Sequence, residues 1–394
     1  MNATAHPHRK SVLRLAATAL CIIALASTWS ATGSCSAETV PGPGSAIAAG
    51  FGYSLLIGAG GSVWGWGGND SHEVNGDMWQ VSYAPRRVGI SGVVAVAAGD
   101  SLSMALTGDG AVWQWGKISE RFGKSVFLHV PTRVLGLPRA RAISAGGDHS
   151  MALCSDGTVW TWGQNGYGQL GGGDAEYRAI PGVVEGLSNV VAIDAGSDSC
   201  ISLKADGTVW TWGYRSEFDS RGRSTYSRQP VPLAVELPDR ALAVEAGGSH
   251  YLVVLPGGEV WAWGDNYGGQ IGGSPELYEH PVRVQGLPPC AAVSAGDSFS
   301  LALGQDGSIW AWGANHSGQL GLGHMRKAAV PTKVERLNGI IAIASGSDHA
   351  LALGADGTVW ELGAKRLLFP LDVTYNLLWP TRVDTRESGV CLLP

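Results

Sequence analysis

Ala205-Asp-Gly-Thr-Val-Trp-Thr-Trp-Gly213 decides the fold, because it does not stand alone. The same frame recurs at Ser155–Gly163, Gln305–Gly313 and Ala355–Gly363, with looser copies at Ala59–Gly67, Gly108–Gly116 and Pro256–Gly264. Its first tryptophans are Trp64, Trp113, Trp160, Trp210, Trp261, Trp310 and Trp360, spaced by 49, 47, 50, 51, 49 and 50 residues. A period near 50 marks a propeller or solenoid array, in which each unit buries its faces only against its neighbours.

Within one unit a short apolar stretch leads into an Ala-Gly bend, a second apolar run, the Asp-Gly pair, the Trp-rich run, a polar segment and a Pro-x-x-Val element. Asp-Gly between two β-like runs predicts a tight hairpin, since glycine accepts positive φ. Gly110, Gly157, Gly207, Gly307 and Gly357 are therefore read as structural turn residues. The two tryptophans of each frame share parity and point to one strand face, where they fill the gap between neighbouring units. The predicted fold is an all-β, seven-bladed propeller of four-stranded blades. Pro-x-x-Val occurs at Pro85, Pro131, Pro181, Pro232, Pro281, Pro331 and Pro380. No unit follows the last copy and no Pro-x-x-Val precedes the first unit. The expectation is a ring closed by N- and C-terminal strands sharing one mixed blade.

The combined frame resembles the regulator-of-chromosome-condensation repeat. It reads Ala-Gly-x-x-His-Ser-x-Ala-Leu, then Asp-Gly-x-Val-Trp-x-Trp-Gly-x-Asn-x-x-Gly-Gln-Leu-Gly. The best copies hold Asn165-Gly-Tyr-Gly-Gln-Leu-Gly171 and Asn315-His-Ser-Gly-Gln-Leu-Gly321, with Asn266…Gly269-Gln-Ile-Gly272 close behind. The resemblance covers residues 45–384 and implies seven blades. The second, fourth and seventh units lack the Asn-x-x-Gly-Gln-Leu-Gly part.

The domain plan is a signal segment at 1–37, a linker at 38–45, the propeller at 46–384 and a tail at 385–394. Arg9, Lys10 and Arg14 precede an apolar run of twelve residues, Leu15–Ala26, followed by small residues. That is the order of a secretory signal. A competing reading is a lipoprotein signal ending at Cys35. Export would place the chain in a secreted or periplasmic location, or lipid-anchored at the envelope. The net charge is −6. Removing the first 37 residues takes three basic groups and no acid, leaving 24 against 33, or −9. That balance disfavours a nucleic-acid partner. A 15% charged fraction and 45% apolar residues exclude a disordered chain.

Motifs with a chemical look dissolve into the repeat. Gly99-Asp-Ser-Leu-Ser103 resembles an esterase nucleophile block, but Gly296-Asp-Ser-Phe-Ser300 fills the same register and no Asp-x-x-His partner follows. Gly166-Tyr-Gly-Gln-Leu-Gly171 matches a dinucleotide fingerprint with no βαβ context. His149, His250 and His349 sit at one register in separate units and are expected to hydrogen-bond a neighbouring turn. No catalytic, cofactor or metal residues are assigned.

Function is expected where the repeat fails, in the segments between Trp-Gly and Pro-x-x-Val. The partner-binding candidates are Arg121, Phe122 and Phe127 in the second unit, and Arg215, Phe218, Arg221, Arg223, Tyr226 and Arg228 in the fourth. Arginine and aromatics are the usual interface anchors. Smaller sets lie at His72, Glu73, Trp79 and Tyr83, and at His324, Arg326 and Lys327. The expectation is a non-catalytic, monomeric exported scaffold binding a protein or cell-envelope component. The resemblance also implies two alternatives: guanine-nucleotide exchange on a small GTPase, and secreted inhibition of a hydrolase such as a β-lactamase.

Overall fold

The computed structural model describes residues 46–74, 82–119, 124–173, 176–218, 224–274, 276–367 and 373–385. Seven four-stranded antiparallel sheets follow one another along the chain, at 47–87, 93–133, 140–183, 190–235, 243–283, 290–333 and 340–382. They are blades 1 to 7. Each is ordered inner, second, third and outer strand in sequence order. The inner strands are rich in alanine and line a central channel.

The repeated frame forms the second hairpin of each blade. In blade 3, Asp156 Oδ1 accepts from the Thr158 amide at 3.0 Å and the Thr158 hydroxyl at 2.6 Å. Gly157 completes the turn at φ 81°. Thr158 Oγ1 in turn accepts the Trp160 indole N–H at 3.0 Å. One chain of bonds thus links Asp, Thr and Trp, and it recurs at Asp206-Thr208-Trp210 and Asp306-Ser308-Trp310. Gly110, Gly207, Gly307 and Gly357 all take positive φ, as the turn requires.

The two tryptophans of each frame divide their labour. The first of each pair is half-buried, whereas Trp66, Trp115, Trp162, Trp212, Trp263 and Trp312 are buried in the seams. Trp212 of blade 4, for example, packs with Met151, Leu153 and Val159 of blade 3. Blade 7 carries Leu362 at this register.

The expected mixed blade does not form. Blade 1 takes all four strands from residues 47–87 and blade 7 all four from 340–382. Each Pro-x-x-Val strand pairs with the Trp strand before it, as in Trp64↔Arg87 and Trp360↔Arg382. Seven starts and seven ends are therefore in phase, with nothing left over to share. The ring closes by packing. Ile47, Leu56 and Trp66 meet Leu351, Val359 and Val383 in one core. Trp66 Nε1 also donates to Glu361 Oε1 at 3.3 Å.

Glycines tighten the ring at the channel mouth. A Cβ at Gly99 would overlap the Gly146 carbonyl oxygen, one at Gly146 that of Gly196, and one at Gly346 that of Gly50. The glycine that recurs at this bend in all seven blades reflects this close approach of neighbouring backbones.

Candidate functional site

The segments after Trp-Gly all emerge on the face that also carries the Ala-Gly bends, because the second and third strands pair as His149↔Gly163 and Ser199↔Gly213. They take two forms. In blades 1, 3, 5 and 6 the segment folds back as a plug into the seam with the next blade. Asn165 Oδ1 accepts the Leu170 amide at 2.8 Å, which drives Leu170 into the core at 0% exposure. Asn266 does the same for Ile271, and Asn315 for Leu320. Blade 1 carries a disguised copy, Asn69-Asp-Ser-His-Glu-Val74, in which Asn69 Oδ1 holds the Val74 amide at 2.8 Å. Its His72 occupies the left-handed position (φ 65°) that Gly168, Gly269 and Gly318 fill elsewhere.

Each plug also satisfies the next blade's indole. The Gln169 carbonyl accepts from Trp212 Nε1 at 2.9 Å, that of Gln270 from Trp312 at 2.6 Å, and that of Glu73 from Trp115 at 2.7 Å. The same carbonyls accept from Cys200 Sγ, Ser300 Oγ and Ser103 Oγ. Ser103, the second serine of the esterase-like block, is thus a buried seam bond. Seam 6/7 is apolar instead, with Phe299, Ala350 and Leu362 in place of His, Ser and Trp.

Among the described residues, blades 2, 4 and 7 carry no plug. The third and outer strands continue as a projecting hairpin, Val112–Ser119 with Ser125–Arg133, Val209–Phe218 with Ser224–Val235, and Val359–Leu367 with Val373–Arg382. Where an irregular loop was expected, regular pairing extends the blade. Without a plug the indole needs another acceptor. Trp162 Nε1 finds Gln114 Oε1 at 3.0 Å and Trp66 Nε1 finds Glu361 Oε1. Both acceptors stand between the two aromatic registers of the preceding blade's third strand.

The blade 4 hairpin gathers an aromatic surface. Tyr214 and Tyr226 stack with centroids 5.7 Å apart, and Tyr167 from the blade 3 plug meets them edge-on at 5.3 and 5.9 Å. Tyr226 is 61% exposed. Arg228 lies opposite Tyr214 in the pairing and donates to the Asn165 carbonyl at 3.3 Å. Arg215 is exposed on the same strand. Tyr167 and Tyr214 were missed from the sequence, where the first lies inside a repeat motif and the second directly follows one. Phe218 ends the third strand, while Arg221 and Arg223 lie outside the described residues, as do Arg121 and Phe122. Phe127 is exposed on the blade 2 hairpin, with its ring edge-on to His72 at 6.0 Å. His72 and Glu73, expected on a binding loop, are instead buried in the first plug. Trp79 lies outside the described residues, and Tyr83 falls in the outer strand of blade 1.

At the centre of this face the bends carry Asp100, Asp148, Asp198, Asp297 and Asp348. Burial in the throat, with the fields of Asp297, Asp148 and Asp198, pushes Asp100 up to about 6. Gln169 Nε2 donates to Asp198 at 3.1 Å, and His316 faces Asp348 at 3.0 Å. Further along the channel, burial pushes Asp194 up to about 6 and Glu245 well above the usual range. The face therefore has an acidic centre and an aromatic, arginine-bearing rim beside blade 4.

The three repeat histidines bond across seams rather than to turns. His149 Nε2 meets Cys200 Sγ at 3.1 Å, His250 meets Ser300 Oγ at 2.9 Å and His349 meets Ser54 Oγ at 3.0 Å. Cys154, Cys200 and Cys290 are buried free thiols. Among the described residues no helix is long and apolar enough to cross a membrane.

The regulator of chromosome condensation (RCC1) repeat model matches residues 156–203, 257–303 and 306–353, and a second model of that description matches 140–169, 242–270 and 290–319. The chain carries RCC1 repeats. The longer matches begin in blades 3, 5 and 6, so the repeat is recognised where the plug is intact. No curated protein matches this RCC1-repeat chain. Among solved structures, Prp20p from Saccharomyces cerevisiae is 24% identical with a TM-score of 0.69, covering 78% of this chain and 81% of its own. Human WBSCR16 is 19% identical with a TM-score of 0.68, covering 82% and 93%. The ectodomain of the Arabidopsis thaliana receptor kinase ACR4 is 17% identical with a TM-score of 0.51, covering 84% and 97%. These likenesses show the fold.

Proposed function

We propose that this RCC1-repeat propeller is a non-catalytic, exported scaffold that binds a protein partner on its plug-and-hairpin face. The observation that carries the reading is the Tyr167–Tyr214–Tyr226 cluster flanked by Arg215 and Arg228. Rigid aromatics give large contact area at low entropic cost, and arginine adds directional hydrogen bonds. A closed seven-blade ring supports that cluster on paired strands, so little ordering energy is lost on binding. Prp20p, similar in fold, is described by its binding to Gsp1p and histones. The basic, apolar, small order of residues 9–37 supports export.

The test is co-purification from the cell envelope and medium with the full chain, against a Tyr214→Ala, Tyr226→Ala, Arg228→Ala variant. A partner depleted at least about tenfold in the variant agrees with the reading. A partner set that the substitutions leave unchanged sinks the assignment of this surface. Recovery of the whole chain, leader included, in the cytosol sinks export.

A further inference from the structure

Seam 4/5 departs from the other seams that carry an indole. Blade 4 has no plug, and the residue between Trp210 and Trp212 is Thr211, too short to reach across as Gln114 and Glu361 do. Among the described residues no acceptor meets the indole N–H of Trp263. Instead a cavity of about 330 Å³ opens there, lined by Thr211, Tyr214, Leu233, Tyr251, Trp263 and Tyr278.

The cavity occupies the position a plug takes in its sister seams. A plug rests on the residue between the two tryptophans of its own blade: Thr161 Oγ1 donates to the Leu170 carbonyl at 2.7 Å, and a Cβ at Gly65 would touch Val74. It also rests on the second tryptophan of the next blade, as Gly171 does on Trp212. It finally donates to the next outer strand two residues before the Pro-x-x-Val proline: Gly173 to Pro230, Gly273 to Ala329, Gly323 to Leu378. At seam 4/5 the equivalents are Thr211, Trp263 and Glu279, and all three line the cavity. Burial reports the vacancy. Thr211 is half-exposed where Thr161, Ala262 and Ala311 stand at 0%, and Trp263 is 6% exposed where Trp115 and Trp312 stand at 0%. Tyr251 narrows the gap by stacking on Trp263, centroids 5.1 Å apart, without filling it.

We infer that the seam between blades 4 and 5 accepts from a partner protein the turn that blade 4 lacks. That turn presents a main-chain carbonyl to Trp263 Nε1 and a leucine or isoleucine side chain to Thr211 and Leu233. The occupant's chemistry is read from the plugs already seated in the other seams. The seam lies beside the Tyr214–Tyr226 surface, but it stands on its own geometry. A probe that uses no natural partner tests it separately from the proposed function.

The probe is a cyclised, fluorescein-labelled peptide of residues 315–321, Asn-His-Ser-Gly-Gln-Leu-Gly, titrated into the full chain by fluorescence anisotropy. Saturable binding is expected, weakened at least about tenfold when the peptide carries Leu320→Asp. In the protein, Thr211→Gln should weaken binding as strongly by giving Trp263 an internal acceptor. Leu233→Arg, at a side chain 47% exposed, should block the same cavity without touching the core. Absence of saturable binding to the wild-type chain overturns the inference. So does binding that both protein variants leave undiminished, or binding that survives Leu320→Asp in the peptide.

Discussion

Trp212 of blade 4 donates its indole N–H to the main-chain carbonyl of Gln169 in blade 3 at 2.9 Å. The bond joins two blades through a segment whose leucine, Leu170, is fully buried. Leu170→Ala should therefore cost about 2–4 kcal/mol, the range for a buried leucine with its cavity. Gln169→Ala should cost only about 1 kcal/mol, because Gln169 gives Trp212 its backbone and uses its side chain on Tyr167 N and Asp198. Denaturant midpoints of the two variants check the order; equal losses would contradict it.

Gln114 replaces a plug with one side-chain oxygen. Gln114→Ala should leave the Trp162 N–H buried without an acceptor, at about 1–3 kcal/mol. In that background Trp162→Phe should cost less than it does in the wild-type chain, since the stranded donor goes with the indole. A double-mutant cycle measures the coupling.

Trp113 lacks the bond its counterparts make. Trp160, Trp210 and Trp310 each donate to a Thr or Ser two residues earlier, but Ala111 stands there in blade 2 and the Trp113 N–H is buried without a partner. Ala111→Thr should stabilise the chain by about 1 kcal/mol. A thermal melt that does not rise would show the indole to be satisfied in solution by other means.

The buried histidines set a pH dependence. Burial lowers His149 to about 4, His250 to about 3 and His349 to about 4, from an ordinary value of 6.5. With the folded pKa below the unfolded one, the unfolded chain binds more protons between the two values. Their stabilising contribution is complete above pH 6.5 and is lost as pH falls toward 4, on the order of 3 kcal/mol each. Asp100 and Asp194, raised to about 6, act in the opposite sense, losing stability as pH rises from about 4 through 6. The histidine part is isolated by His149→Phe with Cys200→Ala, which copies the Phe299/Ala350 pair of seam 6/7. That variant should lose less stability than wild type between pH 7 and 4.5; parallel curves would contradict the assignment.

What the sequence made legible was local. Asp, Thr or Ser, and Trp bond to each other within the frames of blades 3, 4 and 6, and the same frame marks the second hairpin of all seven blades. Ring closure was misread because identical units carry no mark of phase; strand pairings such as Trp64↔Arg87 and Trp360↔Arg382 show which outer strand belongs to which blade. The first plug was missed because His72 and Glu73-Val74 replace glycine and Gln-Leu while keeping Asn69 and the backbone path. The aromatic surface was half visible: Tyr226 and the arginines stood out, whereas Tyr167 and Tyr214 meet them only through the seam between blades 3 and 4. Seam 4/5 did leave a trace, Thr211 where Gln114 and Glu361 stand in the other plugless blades. It has meaning only beside the indole of the following blade.

We propose that partners dock on the plug-and-hairpin face beside blade 4. Site-specific photo-crosslinking in the living cell tests it most directly, with a photoreactive residue at Tyr226 or, on the opposite face, at the Asp206 turn. A discrete covalent adduct with another protein from position 226 and none from 206 is the predicted result. Adducts from 206 alone, or from neither position, would contradict it.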